Sequence, residues 1–292
     1  MTRRSLLPAL ILLVGVVAAC SSPTDEASQS RVDRYLGKWN YDQPDPSSGL
    51  NMAELALPTG PQQAPQVGDV VFTRDPQNPD GDIVIGRTDV GCTWRFHAGE
   101  DALRLDPPAQ LCNNPTSNVS YTITSWTATV DGDAMTEKIT AKSHRADRDL
   151  DFALPTGART RTDDGDGAAV SAFVGTWRFD AADPASMRNI SIVRGADGVR
   201  PTPEQGAVLM TADYGNRITA QTDDGCVWSM LVRGNTAKLD PPVQTCPRPG
   251  NTTRTIRSWT AASDGTRQTA IVHGTNEQNA PFTLGYAAMQ RV

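Results

Sequence analysis

Cysteines, histidines and a few paired acids are the residues through which this chain could carry chemistry. His97, His144 and His273 do not sit at His-Glu-x-x-His spacing. The chain also holds no Gly-x-Ser-x-Gly elbow, no P-loop and no Gly-x-Gly-x-x-Gly turn. Four cysteines, Cys92, Cys112, Cys226 and Cys246, form no Cys-x-x-Cys pair, which disfavours zinc. Asp106 and Asp240 each stand in Leu-Asp-Pro-Pro, where an aspartate side chain is expected to hold the turn backbone. Residues 75–82, DPQNPDGD, have the composition of a calcium loop. Their register puts Pro76 at the first ligand position of an EF-hand and Arg87 at the twelfth, so the loop fails as a calcium site. Asp163, Asp164 and Asp166 read as solvated linker charge. No catalytic residue, metal or cofactor is assigned, and the chain reads as a non-enzyme. A net charge of −6 disfavours nucleic acid as a partner.

The elements that must position these residues occur twice. Gly37-Lys38-Trp39 returns as Gly175-Thr176-Trp177, and Asp89-Val90-Gly91-Cys92-Thr93-Trp94 as Asp223-Asp224-Gly225-Cys226-Val227-Trp228. Leu105 to Cys112 returns as Leu239 to Cys246, and Ser125-Trp126-Thr127-Ala128 as Ser258-Trp259-Thr260-Ala261. Internal repetition on this scale means a duplicated domain rather than a solenoid unit. The copies are bounded at 33–157 and 171–292, with a polar linker at 158–170. Thr, Val and Ile in short alternating runs, with no sustained helical period, predict strands. Asp131-Gly132 and Asp264-Gly265 are expected as type I′ hairpin turns. The Pro-rich stretches 58–65 and 201–203 are expected as loops. Short strands with regular turn signals imply an all-β fold of two tandem antiparallel barrels or sandwiches. Pairing within each copy, at a separation of 20 residues, predicts the disulfides Cys92–Cys112 and Cys226–Cys246.

The fifth cysteine has a different setting. Arg3 and Arg4 precede the uncharged run 5–19, which has signal-peptide length and is short for a membrane span. The run ends in Val17-Ala18-Ala19-Cys20, which resembles the lipobox of bacterial lipoproteins. That resemblance implies cleavage after residue 19 and a diacylglycerol on Cys20, with further acylation giving a stable anchor. Residues 20–32 would then be a Ser-rich tether. Loss of residues 1–19 removes two basic residues and leaves 25 against 33 acidic ones. The membrane partner is therefore reached through lipid rather than a basic patch. The implied location is the bacterial cell envelope, at the outer membrane or a periplasmic or surface face.

Gly37-x-Trp39 and Gly175-x-Trp177, each preceded by an aromatic-aliphatic pair, resemble the opening signature of the lipocalins and wider calycins. In that family the Trp closes the barrel floor and a basic residue of the last strand packs over it. The resemblance gives Arg291 this role for Trp177, and Arg159 or Arg161 for Trp39. Pro155 interrupts the last segment of the first copy. The resemblance also implies small or apolar ligands held non-covalently, with Trp39, Trp94, Trp126, Trp177, Trp228 and Trp259 as candidate ligand-binding residues or core plugs. A second resemblance is to small periplasmic metalloprotease inhibitors, which pair Gly-x-Trp with an intradomain disulfide. Here the first Cys follows Trp39 by 53 residues and Trp177 by 49, later than in that pattern. An envelope interaction module, such as a hydrolase inhibitor or a spacer, is the alternative function.

Overall fold

The alternation of apolar and polar side chains folds each copy into a closed barrel. The structure is a computed structural model and describes residues 31–114, 119–144, 148–162 and 168–292. The lipobox with Cys20, residues 20–30 of the tether and the linker acids Asp163, Asp164 and Asp166 lie outside the described residues.

The first copy contains β1 (Gly37–Tyr41), β2 (Met52–Leu57), β3 (Gly60–Pro65), β4 (Asp69–Arg74), β5 (Ile83–Thr88), β6 (Thr93–Ala98) and β7 (Leu103–Leu105). It continues with β8 (Gln110–Asn114), β9 (Val119–Asp131), β10 (Ala134–His144) and β11 (Asp149–Thr162). After α1 (Ala168–Ser171) the second copy runs through β12 (Gly175–Phe179), β13 (Ile190–Gly195), β14 (Gly198–Pro203), β15 (Ala207–Ala212) and β16 (Arg217–Thr222). It ends with β17 (Val227–Arg233), β18 (Thr236–Leu239), β19 (Gln244–Arg248), β20 (Thr252–Ser263), β21 (Arg267–Thr275) and β22 (Pro281–Arg291).

In the first copy the ring runs β1-β4-β5-β6-β7-β9-β10-β11 and closes where β11 pairs with β1. The second repeats it as β12-β15-β16-β17-β18-β20-β21-β22, closed by β12–β22. The chain is thus two eight-stranded antiparallel barrels in tandem. The period of two is plain on β10, where Met135, Glu137, Ile139 and Ala141 point inward between exposed Thr136, Lys138 and Thr140. Pro155 lies within β11 without preventing closure.

Several expectations need correction. Residues 60–65 and 198–203 are strands, β3 and β14, rather than loops. Each pairs only with the preceding strand, so it is an edge, where a missing proline N–H costs no ladder bond. These β2–β3 and β13–β14 hairpins attach to the last strands, so β1 neighbours β4 rather than β2. The hairpin after β9 turns on Gly132-Asp133, because Asp131 still pairs with Ala134. Only Gly132 there has positive φ (59°), the sign pattern of a type II′ turn rather than I′. β11 runs to Thr162, past the boundary at 157 read for the first copy, since residues 159–162 close the ring against β1. Val32, placed in the tether, and Val170, placed in the linker, are buried beneath the barrels in matching turns.

One buried asparagine recurs at the mouth of each hairpin insertion. Asn51 donates to Asp42 O (2.8 Å) and Ala158 O (3.0 Å) and accepts from Ala158 N (2.8 Å). Asn189 does the same with Asp180 O, Ala288 O and Ala288 N. Both are fully buried with positive φ, a conformation asparagine tolerates well. Asn189 is therefore a structural clamp, although its sequence context is a glycosylation sequon.

The barrels also touch. Asn40 Nδ2 donates to Arg233 O (2.5 Å), Asn235 Nδ2 to Tyr41 O (2.6 Å) and Gln43 Nε2 to Thr269 Oγ1 (2.7 Å). Lys238 of β18 pairs with Asp69 of β4 and lies 3.5 Å from Asp89. Burial would raise the Asp69 pKa, but Lys238 and Lys38 outweigh it and hold it below the usual range. Met52 packs with Tyr286 and Ala288 across the same junction.

Candidate ligand-binding site

The floor of each barrel is built as the resemblance implied. Trp39 and Trp177 are fully buried, and their indole N–H groups donate to Tyr35 O (2.7 Å) and Phe173 O (2.6 Å). Arg161 lies 4.3 Å above Trp39, and Arg291 5.0 Å above Trp177. Arg161 also donates to Leu36 O and Arg34 O, while Arg291 reaches Ser171 O and Ala172 O. These two Trp plug the ends and line neither cavity, so they leave the set of candidate ligand residues.

The other four Trp face the interiors. Trp94 and Trp126 line a cavity of about 280 Å³ in the first barrel, and Trp228 and Trp259 one of about 590 Å³ in the second. The paired cysteines lie beside them. Cys92–Cys112 (Cα separation 5.8 Å) and Cys226–Cys246 (5.6 Å) are both formed.

Strand register explains the difference in volume. Arg159 sits opposite Tyr41, and Met289 opposite Phe179. Glu137 sits opposite Ala128, and Ala270 opposite Ala261. Three polar side chains of the first barrel thus become Phe179, Ala270 and Met289 in the second. In the first barrel Arg159 Nε pairs with Glu137 Oε2 at 3.0 Å, with side chains 2% and 0% exposed. The guanidinium stacks 3.4 Å above the Tyr41 ring, and Trp126 Nε1 donates to Glu137 Oε2 at 3.0 Å. Burial would lower the Arg159 pKa, but the charge and hydrogen bond of Glu137, with Tyr41 and Asp89, together outweigh it and raise the pKa. Gly157 makes room for this pair, because a Cβ there would stand 2.5 Å from Glu137 Cγ. Its counterpart in the second barrel is Ala287, opposite the small Ala270.

The second cavity therefore has Phe179, Ile256, Val272 and Met289 beside the two Trp, and its lining also carries polar residues that include Ser191, Glu204, Gln205 and Asp223. The indole N–H of Trp259, which is 5% exposed, has no acceptor among the described residues where its counterpart Trp126 has Glu137. Trp94 Nε1 in the smaller cavity also lacks one among those residues. The rim of the second cavity is charged. Arg254 bridges Asp224 (2.7 Å) and Glu277 (3.1 Å), and Arg248 lies 3.8 Å and 3.5 Å from the same two acids. Burial alone would raise the Asp224 pKa; hydrogen bonds from Thr222 and Cys226 N, then the two arginines, bring it below the usual value. In the first barrel Tyr121 takes the place of Arg254 beside the disulfide. Burial, then the Asp89 charge, pushes its phenol up to about 12.

The remaining polar candidates are not brought together. His97 pairs with Asp82 (2.8 Å), His144 with Asp149 (3.0 Å), and His273 meets Thr283 (3.2 Å) with its pKa lowered by burial and by Arg194. Asp106 and Asp240 do not hold the Leu-Asp-Pro-Pro turns, as expected above, but face Arg95 (3.8 Å) and Arg217. The two prolines that follow each aspartate have no N–H to donate to its carboxylate, and the nearby guanidiniums attract it. The turns are held by Gln110, which donates to Arg95 O and Pro107 O, and by Gln244, which donates to Ser229 O and Pro241 O. Both glutamines stood in the repeated Leu-to-Cys block, so their duplication was the available signal.

No family model matches the sequence, and no curated protein does. Among solved structures, one similar chain is a protein of unknown function from the DUF3598 family of Nostoc punctiforme PCC 73102. It is 11% identical with a TM-score of 0.28, over 91% of this chain and 99% of that one. Another, from Bacteroides fragilis NCTC 9343, is described as a "putative outer membrane protein". It is 10% identical with a TM-score of 0.29, over 90% of this chain and 99% of that one.

Proposed function

We propose that this chain is a lipid-anchored protein of the bacterial cell envelope whose second barrel captures a small, mostly apolar molecule without covalent chemistry. The observation that carries the reading is the cavity of about 590 Å³ lined by Trp228, Trp259 and Met289. That volume lies in the range of small-molecule sites, and an apolar lining with a few polar groups is their usual character. The first barrel, spanned by the Arg159–Glu137 pair, keeps only the smaller cavity of about 280 Å³ and contacts the second barrel through Lys238. Two disulfides suit an oxidising compartment, and the lipobox supplies the membrane attachment through Cys20.

Native mass spectrometry of the protein after gentle extraction tests the capture. A co-purified small molecule that disappears in Ala270→Phe supports it. A co-purified protein with an empty cavity would favour the interaction-module reading instead. The anchor is tested separately by labelling with radioactive palmitate, which the protein should incorporate and Cys20→Ser should not.

A further inference from the structure

We infer that the ligand of the second barrel carries a neutral hydrogen-bond acceptor, a carbonyl or ether oxygen, that meets the indole N–H of Trp259 deep in the cavity. The inference rests on reading that cavity as a ligand site and names the class of molecule it takes.

The duplication supplies the comparison. In the first barrel the indole N–H of Trp126 is satisfied by a carboxylate of the protein itself, Glu137. In the second, the register places Ala270 where that carboxylate stood, and both Trp259 and Ala270 line the open volume. Trp259 is 95% removed from solvent (5% exposed), and its N–H has no acceptor among the described residues. A buried unpaired donor is costly, and a ligand oxygen in the vacated position would remove that cost.

The same comparison argues for a neutral oxygen. Glu137 is tolerated because Arg159 balances it; the counterpart of Arg159 is Met289, which cannot. A carboxylate bound beside Trp259 would be an unpaired buried charge, which is disfavoured far more strongly than a neutral carbonyl. Of the lining arginines, Arg254 is engaged, with Arg248 beside it, by Asp224 and Glu277, and Arg200 sits on the exposed strand β14.

The test uses the full chain and three aromatic probes of similar shape, followed by isothermal titration. Acetylnaphthalene carries a neutral carbonyl, ethylnaphthalene carries none, and naphthoate carries a charge. Acetylnaphthalene should bind about fivefold more tightly than ethylnaphthalene, the worth of one neutral hydrogen bond, and naphthoate should bind weakest. Trp259→Phe should erase the acetyl preference while ethylnaphthalene affinity is kept. Ala270→Gln, which supplies an internal carbonyl to Trp259, should erase the preference too and covers the case in which Trp259→Phe does not fold. Equal binding of the acetyl and ethyl probes would overturn the acceptor but leave the cavity a ligand site. Tightest binding by naphthoate would overturn the neutral class. Binding of none of the three would overturn both the acceptor and the site.

Discussion

Breaking the buried pair of the first barrel should cost far more than replacing it. Arg159 Nε and Glu137 Oε2 are 3.0 Å apart with almost no solvent contact. At an effective dielectric constant of about 20, two unit charges at that distance attract by about 5 kcal/mol. Glu137→Ala would strand the guanidinium and orphan Trp126 Nε1 together, so a loss of about 3–5 kcal/mol is expected. Arg159→Met would strand the carboxylate and should cost a similar amount. The double variant Glu137→Ala/Arg159→Met installs the residues the second barrel already uses, and should cost less than either single change. Urea unfolding of the full chain measures the totals. Hydrogen exchange of peptides from β9, β10 and β11 reads the first barrel separately, since two barrels need not unfold as one unit. Additive losses in the double variant would refute the reasoning, because independent sites add and a buried pair does not.

Removing Cys226–Cys246 by paired Ser substitutions should destabilise the second barrel by about 3 kcal/mol, the chain-entropy worth of a loop near that length, read by urea unfolding. Lys238→Ala should loosen the junction by about 1–2 kcal/mol, visible as faster exchange around Asp69 and in β18, with each barrel's own core protected as before. The Asp224 pKa is lowered in the folded state, so its contribution is present above its unfolded value near 4 and lost as pH falls through the folded one. The stability gap between the parent protein and Asp224→Asn should therefore close on acidification below about pH 4; a constant gap would contradict it.

Much of the fold could be read from the sequence because duplication printed the same constraints twice. The Trp39 and Trp177 plugs, the two disulfides and the paired hairpins all sit in blocks that repeat with little drift. Edge strands β3 and β14 were misread as loops because proline is a breaker only where its missing N–H faces a neighbour. Val32 and Val170 were missed because a single apolar residue in a polar stretch has no periodicity to announce it. The site itself was legible only in part. The Trp pairs were visible, but which barrel has the larger cavity depends on Glu137, Arg159 and Gly157 against Ala270, Met289 and Ala287. Those residues face one another only through strand register, and they lie outside the motifs that revealed the duplication.

Binding stoichiometry tests the central claim, that the larger cavity takes the ligand and the one narrowed by the Arg159–Glu137 pair does not, most directly. Titration of the full chain with acetylnaphthalene should give one site. Ala270→Phe, in the cavity of about 590 Å³, should abolish that site, and Ala141→Phe, in the cavity of about 280 Å³, should leave it intact. Two equivalent sites in the parent protein, or a single site lost in Ala141→Phe and kept in Ala270→Phe, would contradict the account.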